Sequence, residues 1–193
     1  MARWQPGTRG RLQDAALELF ASRGYEQTTA AEIARSVGLT ERTFFRHFSD
    51  KREVLFGGQE RLTEAFVRGI EAAPDDATPM EAVGDALDVA TGLFPDDMRP
   101  HSRLRQTVID QHPALQERER HKMSGVATTI GDALRARGVG EPAATLAAES
   151  ASTVFGIAFS QWIQDGESRS LGDISRAVLA ELRDLTGADR APR

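Results

Sequence analysis

Residues 28 to 51, TTAAEIARSVGLTERTFFRHFSDK, constrain this chain more than any other stretch, because helix starts and stops crowd together there. Thr29 with Glu32 three residues on has the spacing of a capping box, in which each side chain satisfies a free N–H of the other. The run 30–36 then sets Ile33, Ala34 and Val37 to one side, and Gly38 permits a left-handed turn that ends the helix. Thr40 caps a second helix from Glu41 to about His47, whose Phe44 and Phe48 lie four apart on one face. Asp50 with Glu53 repeats the box, predicting a third helix that runs on through EVLFGGQERLTEAFVRGIEAA, with Gly57-Gly58 as a weak point for a bend.

Two helices of about seven residues joined by four that include a glycine have the dimensions of a helix-turn-helix. In such a motif the second helix enters the DNA major groove. With Phe44 and Phe48 turned inward, Glu41, Arg42, Thr43, Phe45, Arg46 and His47 face out. Hydroxyls at Thr40 and Thr43, and Lys51 at the next helix start, suit phosphate oxygens, which give affinity and register without sequence information. Arg42 has the donors to bond O6 and N7 of a guanine. A helical hairpin in some other all-α protein has the same spacing, so spacing alone leaves both readings open.

From Thr8 to Phe56 the pieces LELFASRGY, TTAAEIARSVGLT and TFFRHFSDKREVL follow one another in an order and at distances that resemble the N-terminal DNA-binding domain of the TetR family of transcriptional regulators. The resemblance covers a little over a quarter of the chain. It implies that Thr29, Thr43, His47 and Lys51 stand where the family holds phosphates or bases. Phe45 departs from the pattern, since a tyrosine is common there, and its ring is left to meet a thymine methyl or a sugar. Ala30 is shorter than the polar side chain of some relatives. The resemblance further implies a homodimer on operator DNA, released by a small molecule. Most such proteins repress, and an activator would use the same DNA contacts.

Composition narrows the field from the other side. With no cysteine among 193 residues there is no disulfide framework, thiolate nucleophile or Cys-based zinc site. The start, MARWQPGTRG, lacks a signal-peptide core, and no apolar run reaches a membrane-spanning length, so a cytoplasmic protein without membrane partners is expected. Net charge is −5, but residues 1–58 carry nine Arg and Lys against seven Asp and Glu, which leaves the acidity in the remainder. An acidic body behind a mildly basic head fits contact with phosphate through one end only. Residues 1–7 read as an arm whose Arg3 is free to lie along DNA. No phosphate loop, GxSxG or HExxH occurs, so neither an enzyme nor a cofactor or metal site is expected. Glu117 and His121 lie one helical turn apart, but in a stretch so charged that it reads as a solvated face.

Beyond about Gly58 the helical period continues between Pro and Gly breaks, giving an all-α expectation of about nine helices: a DNA-binding domain over 1–58 and a ligand-binding and dimerisation domain over 59–193. Pro95 and Pro100 bound an expected break. Phe94, Met98, Ile109, Met123, Phe155, Phe159 and Trp162 supply candidate apolar walls for an effector, with Arg103, Arg105, Gln106, His121 and Thr128 as candidate polar anchors. The order HPAL, long helix, Trp-bearing helix resembles relatives that answer acyl-type ligands. Leu171, Ile174, Val178, Leu182 and Leu185 alternate three- and four-residue steps, the pattern of a helical seam and a candidate dimer interface. An all-α carrier or enzyme with a vestigial head is the rival from another class.

Overall fold

The computed structural model describes residues 7–187, so Arg3 lies outside the described residues. Those residues form nine α-helices and no strand: α1 (Thr8–Arg23), α2 (Ala30–Ser36), α3 (Glu41–His47), α4 (Gln59–Ala72), α5 (Pro79–Thr91), α6 (Arg99–Asp110), α7 (Pro113–Ala136), α8 (Ala143–Trp162) and α9 (Leu171–Gly187). Short 3-10 turns stand at Arg52–Phe56 and Asp96–Met98. The chain divides into two compact units. The first holds the described residues up to Gly58 and also His101–Glu119; the second holds Gln59–Pro100 and Arg120 onward. α7 therefore contributes its first turns to one unit and the rest to the other.

The first unit is built around Leu12, Leu17, Phe20, Tyr25, Ile33, Phe44, Phe48 and the consecutive Val54, Leu55 and Phe56. Val108, Ile109 and Leu115, from α6 and the start of α7, complete the same core. The expected capping box is present: Thr29 N–H donates to Glu32 Oε2 at 2.8 Å, and Glu32 N–H to Thr29 Oγ1 at 3.2 Å. α2 ends as its glycine foretold. Gly38 takes φ 73°, its N–H reaches Arg35 O at 3.0 Å, and Leu39 N–H reaches Ala34 O at 2.9 Å. That pair of bonds is a Schellman closure, and Arg11 of α1 covers a further open carbonyl at Val37, 2.6 Å away. Thr40 then caps α3, accepting from Thr43 N–H.

The single helix expected from Lys51 onward is two pieces. Asp50 Oδ1 accepts from the N–H groups of Arg52 and Glu53, but the turn they begin is 3-10 and stops at Phe56. After Gly57 and Gly58 the chain starts again as α4. Two adjacent glycines each cost a helix about 1 kcal/mol relative to alanine, and three consecutive buried residues before them suit a tight turn better than an amphipathic helix. A Cβ on Gly57 would lie 2.3 Å from Gln13 Nε2, so α1 closes against bare backbone there. The break expected between Pro95 and Pro100 is also shorter than it looked. Pro100 sits in the first turn of α6, where no intrahelical N–H bond is lost.

In the second unit α4 and α5 cross where Gly69 meets Ala86, so tightly that a Cβ on Gly69 would fall 2.3 Å from Ala86 Cα. Small residues of α8, Ala144, Ala148, Ala151 and Ala158, let it pack deep in the core beside Val126, Ile130 and Leu134 of α7. Arg137 caps the end of α4 by donating to Ala73 O at 2.9 Å. Arg99 secures the loop before α9: its guanidinium donates to the Glu167 carbonyl and to Arg169 O (2.7 Å), and stacks over Trp162. Among the described residues no helix is long and apolar enough to cross a membrane.

Candidate nucleic-acid interface

α3 has only seven residues, too few to hold a helix by its own hydrogen bonds. Two rings hold it. Phe44 is fully buried, Phe48 nearly so, and their centroids lie 5.3 Å apart. Arg9 of α1 covers the Phe48 ring at 5.2 Å. With that side fixed, the helix presents Glu41, Arg42, Phe45 and Arg46 to solvent, and neither arginine has an ion-pair partner among the described residues. Phe45 is 50% exposed and stands edge-on to Phe44. Thr40 and Thr43 point their hydroxyls at each other, 3.0 Å apart, at the helix N-terminus.

Thr29 and Lys51 are engaged within the chain. The Thr29 hydroxyl donates to Glu32 at 2.8 Å; this bond and the one from the Thr29 N–H hold the Glu32 carboxyl below its usual range. A phosphate arriving at Thr29 therefore competes with a carboxylate for its proton. His47 is half-buried, and its Nε2 is enclosed without a hydrogen-bond partner in the chain. Lys51 Nζ donates to Tyr25 O at 2.8 Å and sits 4.0 Å from the Tyr25 ring centroid. Burial, and then Glu26, push the Tyr25 hydroxyl up to about 12, so that ring stays neutral beside the ammonium. Arg9 and Arg11 shape this surface without any sequence pattern that marked them for it.

A caps-and-glycine turn, a short helix locked by two phenylalanines and a basic-aromatic outer face together form a helix-turn-helix with a reading helix. Residues 12–56 match the family model described as "Bacterial regulatory proteins, tetR family". That region is similar to the DNA-binding head of TetR-family transcriptional regulators. It is 40% identical over 89 residues to the HTH-type transcriptional regulator TcmR of Streptomyces glaucescens, a match spanning 46% of this chain and 39% of that one. With the putative mycofactocin biosynthesis transcriptional regulator MftR of Mycobacterium tuberculosis it shares 28% identity over 180 residues, covering 92% of this chain and 88% of the relative. Its fold is similar to that of the transcriptional regulator FadR from Bacillus subtilis, solved in complex with stearoyl-CoA (TM-score 0.61, 19% identity, 90% of this chain and 96% of the other).

The residues expected to line an effector site do not all fall together. Phe94, Phe155, Phe159 and Trp162 form one aromatic cluster in the second unit, with Phe94 centroids 5.7 Å from both Phe155 and Phe159. Met123 packs against the same core, and Met98 is exposed. Ile109 is instead sealed in the core of the first unit, and Gln106 of that unit donates to Asp110 and Glu119. Arg103 belongs to the first unit as well. The seam on α9 is likewise turned inward. Leu171 and Ile174 are buried in the second unit's own core, Val178 and Leu182 pack half-buried against it, and Leu185 is 70% exposed. A three-four spacing marks a buried stripe but does not say whose surface buries it.

Proposed function

We propose that this chain is a ligand-responsive transcriptional repressor, acting in the cytoplasm, that binds an operator as a homodimer and lets go when it takes up a small molecule. DNA binding belongs to residues 1–58, steadied by 101–119; effector binding and dimerisation belong to the rest. The observation that carries the reading is the division of α3. Phe44 anchors it, while Arg42, Phe45 and Arg46 stand outward and uncommitted, the chemistry needed for a guanine edge, a thymine methyl and a phosphate.

For the effector, the aromatic cluster of Phe94, Phe155, Phe159 and Trp162 favours an apolar, acyl-like molecule. The fold shared with a regulator solved on stearoyl-CoA supports the same chemistry. For the dimer, α8 offers Leu146 and Ile157, both exposed and eleven residues apart, hence on one side of the helix three turns apart. Gly156 and Ser160 beside Ile157 keep that face low enough for close approach.

Selection of duplexes from a random pool tests the reading. An inverted repeat with half-sites ~34 Å apart, or a multiple of it, is the expected product of a two-fold protein. A reporter driven through that site should fall on expression of the protein and recover with the effector; a rise instead would make it an activator. Failure to enrich any sequence would remove the regulatory function.

A further inference from the structure

Lys51 is held from two sides, and both holds lead to the same place. On one side its ammonium lies on Tyr25, bonded to the carbonyl and facing the ring. Tyr25 is itself wedged: Phe20 meets its ring at 5.0 Å, and His112 meets it at 5.1 Å. His112 is the last residue before α7, between Ile109 and Leu115, both fully buried in the same core. Its carbonyl accepts from Leu115 and Gln116 N–H, and its own N–H donates to Ile109 O, so its backbone has no slack.

The second hold grips the 3-10 turn that Lys51 opens. Arg118 pairs with Glu53 at 2.7 Å. Arg105 donates to Leu55 O at 2.7 Å, pairs with Glu119 at 3.0 Å and covers the Phe56 ring at 5.2 Å. Arg105, His112 and Arg118 all belong to the segment 101–119 that the first unit receives from the middle of the chain. An ammonium has three N–H donors. One goes to Tyr25 O and one direction is occupied by the ring, which leaves a donor aimed by whatever fixes Tyr25.

We infer that the corner between α6 and α7 sets the posture of Lys51, with Tyr25 and His112 as positioning residues, and so decides whether that end of the head makes its phosphate contact. The inference rests on the DNA-binding reading above. It makes residues 101–119 a control element for binding, acting on one lysine and not on the base-reading arginines.

A double-mutant cycle on the full chain, with the selected duplex and a range of salt concentrations, tests it. Lys51→Gln should lower the salt slope by about 2 for a dimer that loses one phosphate contact per head. His112→Ala should lower it in the same direction, and His112→Phe, which keeps a ring against Tyr25, should restore it. In the Lys51→Gln background His112→Ala should cost almost nothing, a coupling well above the ~2-fold departure from additivity expected of independent sites. A merely structural loss would lower the active fraction yet leave the slope of the active molecules unchanged. An unchanged slope in His112→Ala, or equal losses in both backgrounds, overturns the inference. So does an unchanged slope in Lys51→Gln while the wild type still selects DNA. A wild type that selects none overturns the regulatory reading itself.

Discussion

Replacing Gly69 by alanine sets two effects of known size against each other. A Cβ there would sit 2.3 Å from Ala86 Cα, 2.9 Å from Ala86 N and 3.0 Å from Asp85 O. All three are backbone atoms, so no side chain can swing aside and α4 must lift from α5. Overpacking of this kind costs ~1–3 kcal/mol, and rigid neighbours put it at the upper end. Alanine returns ~1 kcal/mol of helix propensity. The expected net loss is about 2 kcal/mol, which for a chain of this size lowers Tm by about 4–8 °C. Gly125→Ala in α7 supplies the control, because nothing lies within 4 Å of its Cβ position. Propensity acts alone there and should raise Tm by about 2–4 °C. Thermal unfolding followed by circular dichroism compares the two. A Gly69→Ala protein as stable as wild type would mean that α4 and α5 are not locked, and that α4 is free to tilt by itself.

Other outcomes follow from the same contacts. Phe44→Ala should cost about 3–5 kcal/mol in urea unfolding and abolish DNA binding, since a fully buried ring holds the reading helix. Arg42→Ala should relax preference at one base pair per half-site, worth about 1–3 kcal/mol, when binding to single-base variants of the selected duplex is compared. Ile157→Glu should yield monomers on sedimentation, whereas Val178→Glu should lower Tm in the monomer's own core; the reverse pattern would return the interface to α9. Glu167 is held at about 2, below its ordinary 4.5, chiefly by its hydrogen bond from Arg169. A depressed carboxyl gives stability that is full above the unfolded value and lost as pH falls toward the folded one. Glu167→Gln should therefore flatten the acid limb of Tm against pH between those two values.

What could be read from the sequence was what is local. Thr29 with Glu32, Gly38 and Thr40 act within five residues of themselves, so capping and turn chemistry placed α2 and α3 to the residue. Phe44 and Phe48 showed the buried side by period alone. The same rules failed where a partner is distant. Leu171 and Ile174 have the spacing of a seam, yet only the packing of α9 on α5 and α8 shows that this chain's own core buries them. Ile109 reads as a pocket wall and is core of the first unit, some fifty residues after that unit's 3-10 turn. Lys51 reads as an anion contact at a helix start, but its bond to the Tyr25 carbonyl spans a gap in sequence that no pattern records.

The borrowed segment 101–119 also bears on how the protein is made. On the ribosome the first 58 residues emerge as α1, α2, α3 and a 3-10 turn with a hole where Val108, Ile109 and Leu115 belong. Roughly sixty more residues must be synthesised before that hole can close, several seconds at about 5–20 residues per second. Through that interval Phe44, Leu55 and Phe56 have no finished core to hide in, and the nascent head is exposed to chaperones and proteases. A hybrid that exchanged only residues 1–58 with a relative would meet the same difficulty permanently, because the exchanged head would be asked to close over another protein's corner.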